Sequence, residues 1–139
     1  MTEQETNILA EDLQARTRYE VIVNTPDGDF PLEYVDKYDE VSVDDGTTNL
    51  YALEQVKPYL RPMSSLTQEE RDQMKKDTCP NGTGTFDDRY LLCPMNHFGE
   101  MISYTFMNSI LTWLRKYHFD CMGLIEMGLA RPAKEGMYE

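Results

Sequence analysis

The spacing of apolar residues near the start of the chain is that of a helix. Across residues 7–16, apolar side chains recur three or four positions apart, as at Leu9 and Leu13, and so share one side. Thr6 or Asn7 is the expected N-cap, since hydroxyl and amide side chains can accept the first free backbone N–H groups. The pattern predicts a short N-terminal helix that docks through one apolar edge.

From Tyr19 onward, apolar and polar positions alternate with the period of a β-strand. Four short strands are predicted, at residues 19–24, 30–34, 40–44 and 48–53. Pro26-Asp27-Gly28 and Asp45-Gly46 are turn sequences, which predict hairpins. Because Pro31 has no N–H, its strand is expected at a sheet edge or to begin there. One helical turn at 54–57 is stopped by Pro58 and Pro62, where the meander is expected to end.

A second helix is predicted by a capping box. Thr67 and Glu70 have the spacing of reciprocal N-terminal caps, and the acidic-to-basic order up to Lys76 suits the helix dipole. Met74 is its one apolar residue, so this helix is expected to face solvent and to lead away from the sheet. The segment 77–90 contains Gly and Pro without clear periodicity and is expected to form a long loop, and residues 90–93 are a candidate short strand.

Helical spacing returns between residues 96 and 119, where the pattern is strongly apolar. One row of this predicted core helix is formed by Ile102, Phe106, Ile110, Trp113 and Tyr117. A last short helix is predicted at 122–127, with Gly128 as its C-terminal stop. Pro132 prevents its extension, and the tail to Glu139 is expected to be extended.

These elements predict an α+β protein with a single domain over residues 1–139. A chain of this length can be held by one core without disulfides or metal ions. Three parts are expected: an N-terminal helix with a barrel-like sheet (1–62), a polar helix with a long loop (63–95), and a C-terminal helical part (96–139). The order of strands and one-turn helix resembles a small antiparallel SH3-like barrel.

The charge of the chain narrows the classes of partner. Its 25 Asp+Glu against 13 Lys+Arg give a formal net charge of −12, and residues 1–62 hold 14 acidic and 5 basic residues. A negative surface repels phosphates, so a basic protein is expected as a partner, rather than nucleic acid or a membrane. Alternatively, the excess of acidic residues only keeps the protein soluble and has no role in binding a partner. No run of residues resembles a membrane helix or a signal peptide, which predicts a cytoplasmic protein.

Cysteine and histidine supply the candidate metal-binding and catalytic groups. The sulfur and imidazole ligands that zinc prefers are present in Cys79, Cys93, His97, His118 and Cys121. Three cysteines cannot all pair within one chain and no secretion signal is seen, so reduced thiols are expected. Because the chain has no Cys-x-x-Cys pair, no metal or other cofactor is predicted. A Cys121 nucleophile, with His118 as base and Asp120 to orient it, can be drawn from the spacing. No catalytic residue is assigned, since no sequence feature supplies an oxyanion hole.

A second group of residues is expected to contact a partner. These residues are Asp27, Asp29, Asp44, Asp45, Asp87, Asp88, Trp113 and Tyr117. The paired acids are also typical of solvated turns, and the two aromatic residues are also typical of a helix core. An apolar stripe wider than one core requires would instead pack against a second copy of the chain in a homodimer.

Three segments resemble a group of small uncharacterised proteins of gut Bacteroides and their phages. They are residues 10–16 (AEDLQAR), 57–67 (KPYLRPMSSLT) and 113–130, which include WLRKYHFD and GLIEMGLA. The resemblance implies a cytoplasmic product of a phage or prophage genome. The resemblance implies no activity, cofactor or catalytic residue.

The features together favour a non-enzymatic accessory protein that binds another protein. An alternative is an acidic mimic of nucleic acid that inhibits a basic host protein, and a third is a thiol- or zinc-dependent enzyme. Added salt would strongly weaken the complex of a mimic, whereas an apolar docking contact would be insensitive to salt.

Overall fold

The computed structural model of the protein describes residues 1–78 and 104–139. Its helices and strands are α1 (Glu3–Arg16), β1 (Ile22–Thr25), β2 (Gly28–Val35), β3 (Glu40–Val43), β4 (Leu50–Ala52), β5 (Lys57–Leu60), α2 (Gln68–Thr78), α3 (Tyr104–Lys116) and β6 (Arg131–Pro132). One-turn 3₁₀ helices lie at Thr17–Tyr19, Leu53–Gln55 and Met63–Ser65. The predicted α+β class is confirmed. No helix in the two described ranges has the length and apolar character needed to span a bilayer.

The six strands form one sheet in the order β4-β3-β2-β1-β5-β6. The strands β1 to β4 pair antiparallel with their neighbours along the chain, β5 pairs antiparallel with β1, and β6 pairs parallel with β5. The predicted meander is therefore present. The sheet is open rather than closed, so the SH3-like barrel is not confirmed.

Two prolines lie in strands in a way that differs from the sequence prediction. Pro58 belongs to β5, a strand that was not predicted, and it is in register with Val23 of β1. Pro31 lies in β2, which is paired on both sides instead of standing at an edge. Its carbonyl still accepts the N–H of Asp44 at 2.8 Å, and the β2–β3 register shifts just beyond it, between Leu32 and Tyr34. A bulge next to proline is how a paired strand tolerates the missing donor.

Helix α1 begins earlier than its apolar spacing predicts. Thr2 is the N-cap and forms a reciprocal capping box with Glu5, so the expected caps Thr6 and Asn7 lie inside the helix. The buried edge of α1 packs on one face of the sheet. This first core contains Leu9, Ala10, Leu13, Val21, Val23, Leu32, Val41, Val43, Tyr51, Leu53, Val56, Leu60, Leu124 and Ala130.

Helices α2 and α3 form a second core. Its buried residues are Leu66, Met74, Ile110, Trp113, Leu114 and Phe119. The predicted capping box of α2 is confirmed, because Glu70 N–H donates to Thr67 Oγ1 at 3.2 Å and Thr67 N–H donates to Glu70 Oε1 at 3.1 Å. The expectation that α2 faces solvent is wrong, since Met74 is fully buried in this second core. The first part of the predicted core helix, 96–103, the candidate strand at 90–93 and most of the predicted loop lie outside the described residues.

The predicted helix at 122–127 is replaced by a series of turns. Both carboxylate oxygens of Asp120 are occupied here, accepting the N–H groups of Leu124 and Ile125 at 2.7 and 3.0 Å. The predicted stop at Gly128 is confirmed: its φ is +74°, and Leu129 N–H donates to Leu124 O at 2.9 Å, as in a Schellman motif. The tail is not simply extended. After β6 it turns back and partly buries Tyr138 against the first core.

Candidate functional site

Arg16 is the centre of a buried charged cluster at the end of α1. Its side chain is fully buried, and its Nε donates to Asp12 Oδ2 at 2.7 Å, one helical turn earlier. Its Nη2 donates to the carbonyl of Phe119 at 2.7 Å and to Cys121 Sγ at 3.7 Å. Arg115 of α3 donates from Nε to the other oxygen of Asp12 at 3.0 Å. The cluster therefore joins α1, α3 and the segment that follows α3.

His118 lies beside this cluster in an unusual backbone conformation. Its φ is +68°, and its carbonyl accepts the N–H of Arg61 at 2.7 Å. Burial, together with the positive charges of Arg16 and Arg61, lowers the pKa of His118 to about 4. Its Nδ1 is buried and finds no hydrogen-bond partner within the described ranges. The imidazole is thus neutral at pH 7 and serves as a flat packing surface.

That packing surface is covered by Tyr138. The two rings stack with centroids 3.8 Å apart and planes 13° from parallel. The Tyr138 hydroxyl accepts the N–H of Ile22 at 3.0 Å and donates to the carbonyl of Tyr59 at 2.7 Å. Burial raises the pKa of Tyr138 to about 12, so the hydroxyl keeps its proton for this bond. The C-terminal segment thereby links β1 to β5.

The thiol, base and orienting acid that the spacing suggests are not arranged for nucleophilic catalysis. Burial raises the pKa of Cys121 to about 11, which keeps the thiol protonated at neutral pH. His118 stacks on Tyr138, and Asp120 accepts backbone N–H groups of Leu124 and Ile125. Each of the three groups therefore has a structural contact.

Three of the five candidate zinc ligands, Cys79, Cys93 and His97, lie outside the described residues. Of the other two, Cys121 is a free cysteine and His118 is engaged as above. Within residues 1–78 and 104–139, no three Cys, His, Asp or Glu side chains are grouped so as to hold a metal ion.

The predicted interaction residues of the sheet lie together. The β1–β2 turn carries Asp27, and Asp29 follows it at the start of β2. The segment after β3 carries Asp44 and Asp45, and in an antiparallel meander these two connections lie at the same end. Tyr51 Oη donates to Asp27 Oδ2 at 2.7 Å, and this bond, together with the nearby charge of Asp45, raises the pKa of Tyr51. We call Asp27, Asp29, Asp44 and Asp45 the acidic end.

Two carboxyls of the acidic end have a lowered pKa. Asp29 accepts from Asn24 at 2.8 Å, from Lys134 at 2.9 Å and from Tyr59 Oη at 3.1 Å. These bonds lower the pKa of Asp29, and the hydroxyl and N–H of Thr47 lower that of Asp45. Both groups are therefore held as carboxylates at neutral pH.

The other residues that were predicted to contact a partner lie in different parts of the chain's structure. Trp113 is 7% exposed, and its Nε1 donates to Asp77 Oδ2 at 2.8 Å, so it belongs to the second core. Tyr117 is exposed and lies 4.5 Å from Trp113 between ring centroids. Asp87 and Asp88 lie outside the described residues. The structure does not bring the aromatic pair and the acidic end into one site.

A surface cavity of about 410 Å³ lies between the start of α2 and the C-terminal segment. Arg61 and Glu70 in its wall form a bidentate pair at 2.7 and 2.9 Å, which lowers the pKa of Glu70. Lys134, also in the wall, pairs with Asp29. Because these cations already have carboxylate partners, the cavity presents paired charges rather than a free anion-binding group.

The residues that organise these contacts were largely absent from the sequence predictions. Arg16, Arg61 and Tyr138 each contact a residue at least nine positions away, and Arg16 reaches Phe119 across 103 positions. The only local signal was the four-residue spacing of Asp12 and Arg16, which is also common on exposed helix faces.

No protein-family model matches the chain, no curated protein matches it, and no solved structure matches it. The assignment of function rests on the chain's own geometry.

Proposed function

We propose that this protein is a non-enzymatic interaction module that binds a basic protein through the acidic end. The observation that carries the proposal is the convergence of Asp27, Asp29, Asp44 and Asp45 from two connections onto one end of the sheet. Hydrogen bonds lower the pKa of Asp29 and of Asp45, and because Asp29 already pairs with Lys134, the charge offered to a partner is carried mainly by Asp27, Asp44 and Asp45. Ionised carboxylates grouped in this way attract cationic surfaces and raise association rates.

The free edges of the sheet favour recognition through side chains. At the β4 edge, the N–H of Ala52 donates to Gln55 Oε1 at 2.9 Å and is no longer free to pair with another strand. At the opposite edge, β6 has only two residues and one of them is Pro132. Short or capped edges resist the addition of a further strand. We therefore propose that the partner does not extend the sheet.

A thiol enzyme is the less favoured function. Cys121 is a protonated thiol that accepts from Arg16, and the imidazole of His118 is neutral and stacked on Tyr138. A cytoplasmic role in a phage or prophage context stays part of the proposal, on the resemblance of the three sequence segments. A Bacteroides lysate is accordingly the first source of partners.

The proposal is tested by affinity capture from that lysate at low and high salt, followed by mass spectrometry. We expect a basic protein to be retained in stoichiometric amount and released by salt, because exposed charge pairs are screened. Asp27→Asn with Asp44→Asn should reduce its retention several-fold. The matched control, Glu11→Gln with Glu126→Gln, removes the same charge from exposed positions elsewhere.

Equal losses in the two double variants would show that only net charge matters, and would contradict a site at the acidic end. A complex unaffected by salt would contradict electrostatic recognition altogether.

A further inference from the structure

The sheet has one face packed on α1 and one outer face. Side chains in register on neighbouring strands share a face, and Ser42 of β3 is in register with Tyr34 of β2 and Leu50 of β4. Tyr34 is 48% exposed and Leu50 is 44% exposed, whereas Ser42 between them is 5% exposed. The outer face of β2–β4 therefore presents the phenol ring of Tyr34 and the aliphatic side chain of Leu50 to solvent, with the buried Ser42 between them.

Carboxylates surround this apolar pair. Alternation within β3 places Glu40 on the same face as Ser42, and Asp44 directly follows the last residue of the strand; both are exposed. Glu33, at the β2 bulge, accepts the Ser42 hydroxyl at 3.1 Å. The nearby cation Lys37 lies 5.1 Å from the ring of Tyr38 in the β2–β3 turn. An aromatic ring with carboxylates around it is complementary to a side chain that has a cationic group and an apolar stem.

The neighbouring part of the same face is already covered in this way by the chain itself. Lys134 Nζ lies 5.1 Å from the ring centroid of Tyr59 and 2.9 Å from a carboxylate oxygen of Asp29. One cation thus contacts a tyrosine ring and a carboxylate together, and Tyr59 is only 4% exposed. On β2–β4 the exposed ring of Tyr34 and the exposed carboxylates of Glu40 and Asp44 are the same kinds of group, and within residues 1–78 and 104–139 no cation covers them in this way.

We propose that the outer face of β2–β4 binds an arginine-bearing segment of the partner, with a guanidinium over Tyr34 and its stem against Leu50. This inference rests on the proposed function, because it names the chemistry of the basic partner. Arginine is favoured over lysine, since its planar group stacks on an aromatic ring while donating to carboxylates. A second copy of the chain is disfavoured as occupant, because each copy carries a net charge of −12.

The test is an NMR titration of the ¹⁵N-labelled full chain with a hexa-arginine peptide and with a hexa-lysine peptide of equal charge. We expect hexa-arginine to shift the amides of Tyr34, Ser42 and Leu50 and to bind more tightly than hexa-lysine, with a preference of at most about two- to fivefold, the full effect of an exposed cation–π contact. Tyr34→Ser should abolish that preference for arginine. The matched control Tyr38→Ser removes another exposed ring and should keep it.

Each contrary outcome has a distinct meaning. Equal affinities, or shifts confined to the turns at 26–29 and 44–49, would overturn the arginine site on the outer face and leave the acidic end standing. The absence of shifts with either peptide would overturn both proposals. Light scattering that shows a dimer dissociated by Leu50→Ser would assign the face to a second copy instead. Unchanged amide spectra in the second core establish that each variant is folded.

Discussion

The imidazole of His118 and the phenol of Tyr138 stack 3.8 Å apart, although 20 positions separate them in the sequence. His118 follows α3, and Tyr138 is the penultimate residue of the chain. Through its hydroxyl, Tyr138 also contacts Ile22 of β1 and Tyr59 of β5. The stack therefore connects the end of the second core to the centre of the sheet, and we expect substitutions of either member to change stability.

Tyr138→Phe should lower the free energy of unfolding by about 1–2 kcal/mol. The substitution keeps the ring on His118 but leaves the N–H of Ile22 and the carbonyl of Tyr59 without the hydroxyl between them. Urea unfolding followed by Trp113 fluorescence measures the change. Tyr38→Phe is the control, because Tyr38 is 72% exposed and its hydroxyl should contribute little. Equal midpoints for Tyr138→Phe and the wild type would show that the hydrogen bonds of the Tyr138 hydroxyl contribute nothing to stability.

The low pKa of His118 predicts a loss of stability in mild acid. Its pKa is about 4 in the folded chain, against an ordinary value of 6.5. Between these values the unfolded chain binds a proton that the folded chain does not, so stability falls as the pH drops from 6.5 towards 4. Above pH 6.5 the group has no effect. The loss should be about 1–2 kcal/mol, since the imidazole is only partly buried.

His118→Asn is the variant that isolates this effect. Asparagine tolerates the positive φ of this position and does not titrate. Carboxyls with lowered pKa values, such as Asp29 and Glu70, also reduce stability in acid, but they are present in both proteins and cancel in the comparison. We expect the variant to have a flatter stability curve between pH 6.5 and 4. Parallel curves would place the folded-state pKa of His118 near its ordinary value.

Arg16→Met should destabilise the fold by about 3–5 kcal/mol. It removes the guanidinium from a fully buried site, leaving the carbonyl of Phe119 with the N–H of Cys121 as its remaining donor and Asp12 with Arg115 as its remaining cation. Thermal and urea unfolding measure the loss. Arg18→Met, two residues later on an exposed side chain, should change stability by no more than about 0.5 kcal/mol.

A double variant separates the ion pair from packing. If Asp12 and Arg16 depend on each other, Asp12→Leu with Arg16→Met should be less destabilising than the sum of the single changes. Additive losses would mean that each residue acts through other contacts.

Local signals account for the parts of the fold that could be predicted from sequence. The Thr67–Glu70 capping box, the turn before Gly28 and the stop at Gly128 each depend on neighbours within a few positions, and all three are present. The prediction of a short helix at 122–127 missed a local contact, because the carboxylate of Asp120 accepts the N–H groups of Leu124 and Ile125, four and five positions later.

Long-range contacts account for what could not be predicted. Asp12 and Arg16 have the spacing of a surface ion pair, and only the approach of Phe119 and Cys121 makes that pair a buried cluster. Strand β5 depends on pairing with β1, in spite of Pro58. The acidic end was predicted residue by residue, but its grouping follows from the order of the strands.

Glu70 has two roles at the start of α2, as a helix cap and as the ion-pair partner of Arg61. A substitution that removes only its charge distinguishes the two. Its Oε1 accepts the N–H of Thr67, while both oxygens pair with Arg61, which lowers the pKa of Glu70. Glu70→Gln can retain the cap but loses the bidentate ion pair, so unfolding should be easier by about 1 kcal/mol at low salt and by less at high salt. Glu69→Gln removes the same charge from the same helical turn and should have less than half that effect, because Glu69 is exposed. Equal losses in the two variants would mean that Glu70 stabilises α2 through the helix dipole rather than through its contact with Arg61.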